Sequence, residues 1–139
     1  MAGLVTTTRQ KGRASGLSQG WAFQRIVTSM NIQKPKGCSI IVMEVIGAGG
    51  GGGSGGSGGG YAGGGGGGAL ARGSYNADSL PSSLVITVGA GGTGGSSDAN
   101  GVAGANSSVT GTNFSLLAGG GGFGVYSASG NGGGGGGGG

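Results

Sequence analysis

Histidine is absent from this chain, and cysteine occurs once, at Cys38. A single cysteine forms no intrachain disulfide, and the Cys and His pairs that hold structural zinc are missing. The acidic residues are only Glu44, Asp78 and Asp98, so a nucleophilic serine or cysteine has almost no general base available. No apolar run approaches the ~18 residues of a membrane-spanning helix. These absences predict a protein that is not an enzyme, takes no metal or cofactor and does not insert into a membrane.

Glycine is the residue in excess, with 45 among 139 residues. Each glycine loses about 1 to 2 kcal/mol of backbone entropy on ordering, and it has no side chain whose burial offsets that loss. Collagen is disfavoured because strict Gly-X-Y repeats are lacking and proline occurs only twice. The tracts are therefore either flexible linkers or chains ordered by backbone hydrogen bonds at close approach.

Positive charge is concentrated at the N-terminus. Six of the seven basic residues lie in the first 36 positions, where no acidic residue occurs: Arg9, Lys11, Arg13, Arg25, Lys34 and Lys36. Such a segment suits nucleic acid, an anionic lipid surface or an acidic protein. Residues 1–20 lack clear periodicity, so we expect a basic docking arm that orders only against a partner.

Three apolar runs read as strands. In CSIIVMEVI, residues 38–46, Ile41, Met43 and Val45 share one face, and SLVITV places Leu84 and Ile86 together. TNFSLLA, residues 112–118, is a weaker third run, and the alternation in WAFQRIVTSMNI, residues 21–32, also suits a strand. Glu44, in mid-strand, is expected to face solvent or to meet Arg25 or Arg72.

Each of the three runs leads directly into glycine. The junctions read VIGAGG at 45–50, TVGAGG at 87–92 and LLAGGG at 116–121. Because strands precede the tracts repeatedly, ordered tracts are favoured over linkers in this central region. The sequence therefore predicts an all-β fold of short strands leading into a glycine-rich layer of polyglycine II-like helices, without substantial α-helix.

The junction VIGAGGGGG also contains G-x-G-x-x-G, the spacing of a dinucleotide-binding loop. That loop needs a helix after the glycines and an acidic residue about 20 positions on. Residues 49–68 are almost all glycine, the poorest helix former after proline, and no acidic residue occurs between Glu44 and Asp78. The match is an accident of composition.

Recognition remains as the function that this composition allows. Aromatic and arginine side chains on a flat glycine surface are plausible contacts for a sugar or a neighbouring subunit. The candidates for receptor or partner contact are Tyr61, Arg72, Tyr75, Phe123 and Tyr126. Each could equally fill a gap between the strands and the glycine layer.

The order of these elements resembles the glycine-rich domain of bacteriophage tail proteins, found in tail fibres and tail-tip adhesins. The resemblance rests on the two strand-GAGG junctions and on the T-x-F strand before AGGGG, and it covers roughly residues 29–139. It implies polyglycine II helices within 49–68, 91–95 and 119–122. It also implies a virion structural protein whose loops contact a glycan or an outer-membrane protein of the host.

We therefore expect a tail protein that attaches the virion to its host, with a capsid decoration protein as the alternative. Both would dock to other virion proteins through the arm at 1–20, with Arg9, Lys11 and Arg13 as candidate contacts, and neither would bind nucleic acid. Self-association as a homotrimer would help stabilise a chain with few large apolar residues. The expected domains are the arm, a glycine-rich domain at 21–131 and a flexible tail at 132–139. An ice-binding or cell-wall protein is disfavoured.

Overall fold

The structure is a computed structural model that describes residues 4–11, 21–55 and 60–128. It is all-β, with 43% strand and 3% helix. The strands are β1 (Leu4–Lys11), β2 (Trp21–Ile26), β3 (Met30–Gln33), β4 (Cys38–Ile46), β5 (Tyr61–Ala62), β6 (Leu70–Asn76), β7 (Ser83–Thr87), β8 (Ser107–Gly111), β9 (Phe114–Ala118) and β10 (Tyr126–Ser127). A single 3-10 turn, Ala77–Ser79, follows β6 within the described chain. The predicted fold class is confirmed.

Two four-stranded antiparallel sheets form a sandwich. The first has the order β2-β1-β4-β6 and the second the order β3-β7-β8-β9. A core fills the space between them, because the alternation of β4 turns Ile41, Met43 and Val45 inward and the second sheet contributes Leu84, Ile86 and Val109. The face assignment made from the sequence is thus confirmed for β4 and β7.

The N-terminal segment that was expected to be a docking arm contains a strand. Leu4–Lys11, part of the expected arm, is β1 and pairs with β2 on one side and β4 on the other. The reason is local, since Val5, Thr6, Thr7 and Thr8 are β-branched and favour a strand. Arg13 and the predicted flexible tail, 132–139, lie outside the described residues.

The expected strand at 21–32 also differs, because the chain crosses between sheets. β2 ends at Ile26 in the first sheet, and β3 begins at Met30 in the second. The chain then turns at Pro35-Lys36-Gly37, where Gly37 has a φ of +71°. This left-handed conformation favours glycine over residues that carry a Cβ.

Five glycine-rich tracts continue the strands beyond the sandwich. We name them tract I (residues 47–54), tract II (63–69), tract III (89–95), tract IV (99–105) and tract V (119–125). Tract I follows β4 and tract II leads into β6, while tracts III, IV and V adjoin β7, β8 and β9. The glycine layer is therefore an extension of both sheets, and the stretch at 49–68 contributes two tracts that run in opposite directions.

Hydrogen bonds between the tracts recur every three residues. The backbone N–H groups of Gly47, Gly50 and Gly53 donate to Ala69, Gly66 and Gly63 of tract II at 2.8–2.9 Å. Those of Ala48, Gly51 and Ser54 donate to tract IV at 2.8–3.1 Å. Three residues per turn is the repeat of a polyproline II-type helix, and with glycine it is polyglycine II. The polyglycine II layer predicted from the sequence is confirmed for the described tracts.

Close approach of backbones explains why glycine is required. A Cβ added at Gly50 would overlap the carbonyl of Gly122 on tract V, and one at Gly121 would overlap that of Gly66 on tract II. At the outer surface the requirement disappears, since a Cβ at Gly64 or Gly67 would meet nothing within 4 Å. Glycine is therefore required at the positions whose Cβ would point at a neighbouring tract.

Candidate recognition surface at the tip of the layer

All five tracts meet at one end of the layer, far from the sandwich. Tracts I, III and V end there, and tracts II and IV begin there, so the turns between them cluster. We call this end the tip, formed by residues 55, 60–62, 96–98 and 126–128 of the described chain. Connecting loops on a rigid support are the usual place for recognition residues.

Backbone pairing holds two tyrosines at the tip. β5 and β10 form a two-stranded antiparallel ribbon in which Ser127 lies opposite Tyr61 and Tyr126 opposite Ala62. The ring of Tyr61 is 51% exposed, although its backbone is fixed by this pairing. Phe123, on the outer side of tract V one turn below, is 42% exposed. The sequence candidates Tyr61, Phe123 and Tyr126 thus lie at the same end of the molecule.

Polar side chains order the neighbouring turn. The Asn100 Oδ1 accepts a hydrogen bond from the backbone N–H of Tyr126 at 2.8 Å, and the Ser54 Oγ accepts one from that of Ala99 at 3.3 Å. Ser97 and Asp98 have φ values of 36° and 62°, which close the turn between tracts III and IV. The tip is therefore built from specific contacts that cross between tracts.

Asp98 and Tyr126 lie beside each other at the tip. The Tyr126 hydroxyl donates to the Asp98 carboxylate, and this hydrogen bond, with smaller contributions from desolvation and the negative charge, raises the pKa of Tyr126 above 10.0. Because the phenol donates its one hydrogen to Asp98, the phenol oxygen and the carboxylate both offer hydrogen-bond acceptors next to an aromatic face. That combination suits a polar ligand with flat apolar surfaces.

The remaining two candidates lie elsewhere, on β6 in the sandwich. Arg72 Nε is 3.1 Å from Glu44 Oε1, which confirms that Glu44 meets an arginine. Tyr75 is half-buried and packs edge-to-face on Phe114, with ring centroids 5.0 Å apart. Tyr75 also covers Gly73 of its own strand. The structure does not bring Arg72 or Tyr75 to the tip.

Sequence reasoning missed Asp98 and Asn100 as site residues. The composition of Ser-Asp-Ala-Asn, residues 97–100, is typical of a turn. Tract IV was not recognised because its sequence, ANGVAGA, contains only two glycines. Those two, Gly101 and Gly104, are three residues apart, and a Cβ on either would overlap tract I. The signal that could have found tract IV was therefore glycine spacing, since glycine density is low there.

A shallow cleft of about 460 Å³ opens at the start of β4, at the other end of the sandwich from the tip. It is lined by Cys38, Ser39, Ile40, Ser74, Tyr75, Asn76 and Asp78. The Cys38 thiol donates to the Pro35 carbonyl at 3.1 Å, and the Asn76 Oδ1 accepts from the backbone N–H of Asp78. These polar groups cap and close turns. Among the described residues no cluster of three His, Cys, Asp or Glu could hold a metal.

A β-sandwich whose strands continue as a hydrogen-bonded polyglycine layer defines a glycine-rich structural domain. The family model of the glycine-rich domain matches residues 25–139, and the chain belongs to this family. β1 and the first four of the six residues of β2 precede the matched region, although they complete the first sheet. No curated protein and no solved structure gives a significant match to the chain. The helices that the structure describes include none that is long and apolar enough to cross a bilayer.

Proposed function

We propose that this chain is a structural protein of a bacteriophage tail, in the fibre or at the tail tip, and that its tip attaches the virion to the host cell surface. The observation that carries the proposal is the position of Tyr61 and Tyr126. Both are fixed by the β5–β10 ribbon at the end of a glycine layer that holds them away from the sandwich. Membership of the glycine-rich domain family is consistent with this role.

The glycine layer can act as a rigid support for the residues of the tip. Tract I has eight residues, which at about 3.1 Å per residue span roughly 25 Å. Each tract is hydrogen bonded to at least two others, so the layer resists bending without a side-chain core. Binding through a support that is ordered beforehand avoids the entropy cost of ordering a loop during recognition.

The chemistry of the tip favours a glycan or a polar loop of an outer-membrane protein. Aromatic faces stack on sugar rings, and the Asp98 carboxylate, together with hydroxyl groups, can pair with sugar hydroxyls. Phe123 adds apolar area on the adjoining face. Asp98 is the only charged side chain among the described tip residues, which argues for a ligand recognised by hydrogen bonding and stacking.

Other virion proteins are the second set of proposed partners. Phe23 and Leu70, 68% and 63% exposed, lie on β2 and β6, the edge strands of the first sheet. These two side chains lie in the sandwich, away from the tip, and would be covered if the chain self-associates as a homotrimer in the virion. Arg9 and Lys11 of β1 are proposed to contact neighbouring virion proteins. Light scattering on the purified protein measures the oligomer number.

Competition for host cells tests the attachment role. Purified protein should slow phage adsorption, and the double variant Tyr61→Ala/Tyr126→Ala should lose this competition by tenfold or more. The variant should remain folded, as a cooperative thermal transition would show. Val85→Ala is the matched control, because Val85 is 45% exposed on β7, outside the tip, and should compete like the unaltered protein. Equal competition by both variants would refute a role for the tip.

Localisation on the particle separates tail from capsid. Antibody against this chain should label the tail in electron micrographs of intact virions. Label on the capsid would replace the proposal with a decoration protein, whose loss lowers capsid stability and leaves adsorption unchanged. Label on no particle would overturn both.

A further inference from the structure

The layer follows a simple geometric rule around tract I. Its N–H groups point to tracts II and IV, and its carbonyls accept from tract V, at Ala48 and Gly51, and from tract III, at Gly49 and Gly52. Bonds between the outer tracts give their order around tract I as II, V, IV and III. Donor and acceptor directions therefore alternate around a polyglycine helix that has room for six neighbours.

The same rule locates an open groove between tracts V and II. The carbonyls of Gly121 and Gly124 in tract V accept hydrogen bonds from tract IV, and the N–H groups of the same two residues donate to tract I. The carbonyls of Gly119, Gly122 and Val125 accept hydrogen bonds from tract II. Beyond tract II, the next side of tract V carries the N–H groups of Gly122 and Val125. For these donors the described chain supplies no acceptor.

Tract II supplies the other wall of this groove. Its residues Gly63, Gly66 and Ala69 exchange hydrogen bonds with tracts I and V. Beyond tract V, the next side of tract II carries the carbonyls of Gly64 and Gly67. These carbonyls receive no hydrogen bond from the described residues. The groove thus offers a row of donors and a row of acceptors, each repeating every three residues.

The groove suits a chain that has glycine wherever it faces a neighbouring tract. An occupant must approach as closely as the tracts approach each other, and at such positions a Cβ overlaps neighbouring carbonyls. It must also present backbone donors and acceptors with a repeat of three. A glycine run meets both demands.

Such a run follows tract V. The described chain ends at Ala128 beside the tip, and after Ser129, Gly130 and Asn131 the sequence continues as Gly132–Gly139. Eight glycines equal the length of tract I, and three residues are enough for a tight reversal. A chain returning from the tip next to tract V enters the groove from its open end.

We propose that Gly132–Gly139 binds in the groove between tracts V and II as a sixth polyglycine helix of the same layer. It accepts hydrogen bonds from Gly122 and Val125 and donates to Gly64 and Gly67. The inference rests on the geometry of the layer and is independent of the proposed role in attachment.

An alanine scan of the full chain tests the proposal through its period. Single variants from Gly133→Ala to Gly138→Ala should lower the melting temperature at one position in three and leave it unchanged at the other two. Tract II shows the same contrast, since a Cβ on Gly65 or Gly68 overlaps tract I while one on Gly64 or Gly67 is free. A scan that is flat, or that lacks this period, would overturn the proposal.

Amide exchange gives a second readout that does not depend on stability. The amides of Gly122 and Val125 should exchange at least tenfold more slowly in the full chain than in a variant lacking residues 132–139. The amides of Gly121 and Gly124, which donate to tract I, should stay protected in both and serve as the internal control. Equal exchange of Gly122 and Val125 in the two proteins contradicts an occupied groove. Protection that grows with protein concentration would instead identify a second copy as the occupant and overturn the intrachain assignment.

Discussion

Single residues in the layer differ in whether a Cβ can be added. Gly50 and Gly67 have the same composition around them in the sequence, yet one faces tract V and the other faces solvent. Neither has a positive φ, so alanine meets no backbone strain at either position. The contrast between them isolates close approach of backbones as the reason for glycine.

The pair Gly50→Ala and Gly67→Ala therefore gives a matched test. Gly50→Ala should destabilise the fold by about 1–3 kcal/mol, because tracts I and V must separate to admit the methyl group. Gly67→Ala should be neutral or stabilise by about 0.4–1 kcal/mol through the lower entropy of the unfolded chain. Urea unfolding of the two variants measures the difference, and equal effects would contradict the packing described.

Tyr126 provides a prediction that depends on pH. Its hydrogen bond to Asp98 raises the pKa of the phenol above 10.0, so the folded state favours the neutral form. The stabilising contribution is fully present below the ordinary pKa of tyrosine and is lost as pH rises through the raised value. Asp98→Asn should lower the pKa of Tyr126 towards 10, as followed by NMR of the ring carbon that bears the hydroxyl. An unchanged titration would rule out the contact with Asp98.

At the scale of elements, β1 holds the first sheet together. It lies between β2 and β4 and hydrogen bonds to both, so β4 would become an edge without it. An exposed edge that carries CSIIVMEVI is a hazard for aggregation. The segment is therefore part of the fold as well as a source of positive charge.

Proline in β1 tests this assignment. Thr7→Pro removes a backbone donor from a strand paired on both sides and should abolish the folded state or cause aggregation. Thr7→Val keeps the backbone and the β-branched shape, and its melting temperature should stay within a few degrees of the unaltered protein. If Thr7→Pro melts normally, residues 4–11 act as a detachable arm, as the charge pattern alone had suggested.

Strands could be predicted from the sequence where the pattern of apolar and polar side chains indicates them. β4 was predicted to the residue because five of its nine residues are β-branched and its apolar residues alternate between two faces, and the junctions with glycine identified the layer. No strand was predicted at β6, because LARGSYN contains Gly73 and polar residues. It is a strand because β4 lies beside it and Tyr75 covers Gly73. The location of Tyr61, Asp98 and Tyr126 at the same end of the molecule could not be predicted, because it depends on the order in which the tracts pack.

At the scale of the whole molecule, sandwich and layer form one cooperative unit. Tract V carries on from β9, and Ser107, fully buried in β8, accepts a hydrogen bond at 3.0 Å from the N–H of Gly89 where β7 passes into tract III. The stability of the layer comes from backbone hydrogen bonds that are individually worth about 0.5–1.5 kcal/mol. Loss of any tract would remove hydrogen bonds from several others.

Amide exchange over the whole chain checks this cooperativity. The amides of Gly50, Gly51 and Gly121, which donate to three different tracts, should exchange as slowly as those of the central strands. Mass spectrometry of peptides covering 47–54 and 119–125 measures their protection. Exchange at the rate of an unstructured peptide in the native protein would show that the tracts are linkers.

The three-residue repeat of the layer also restricts how the gene can change in length. Loss of three codons from a tract removes one full turn and leaves every remaining donor facing its old neighbour. Loss of one codon rotates the rest of the tract by a third of a turn, so that its donors face the wrong tract. Slippage in glycine-coding repeats would therefore be tolerated in steps of three codons, and paired tracts that run in opposite directions would shorten together. The distance from sandwich to tip can in this way evolve in discrete steps while the recognition residues stay the same.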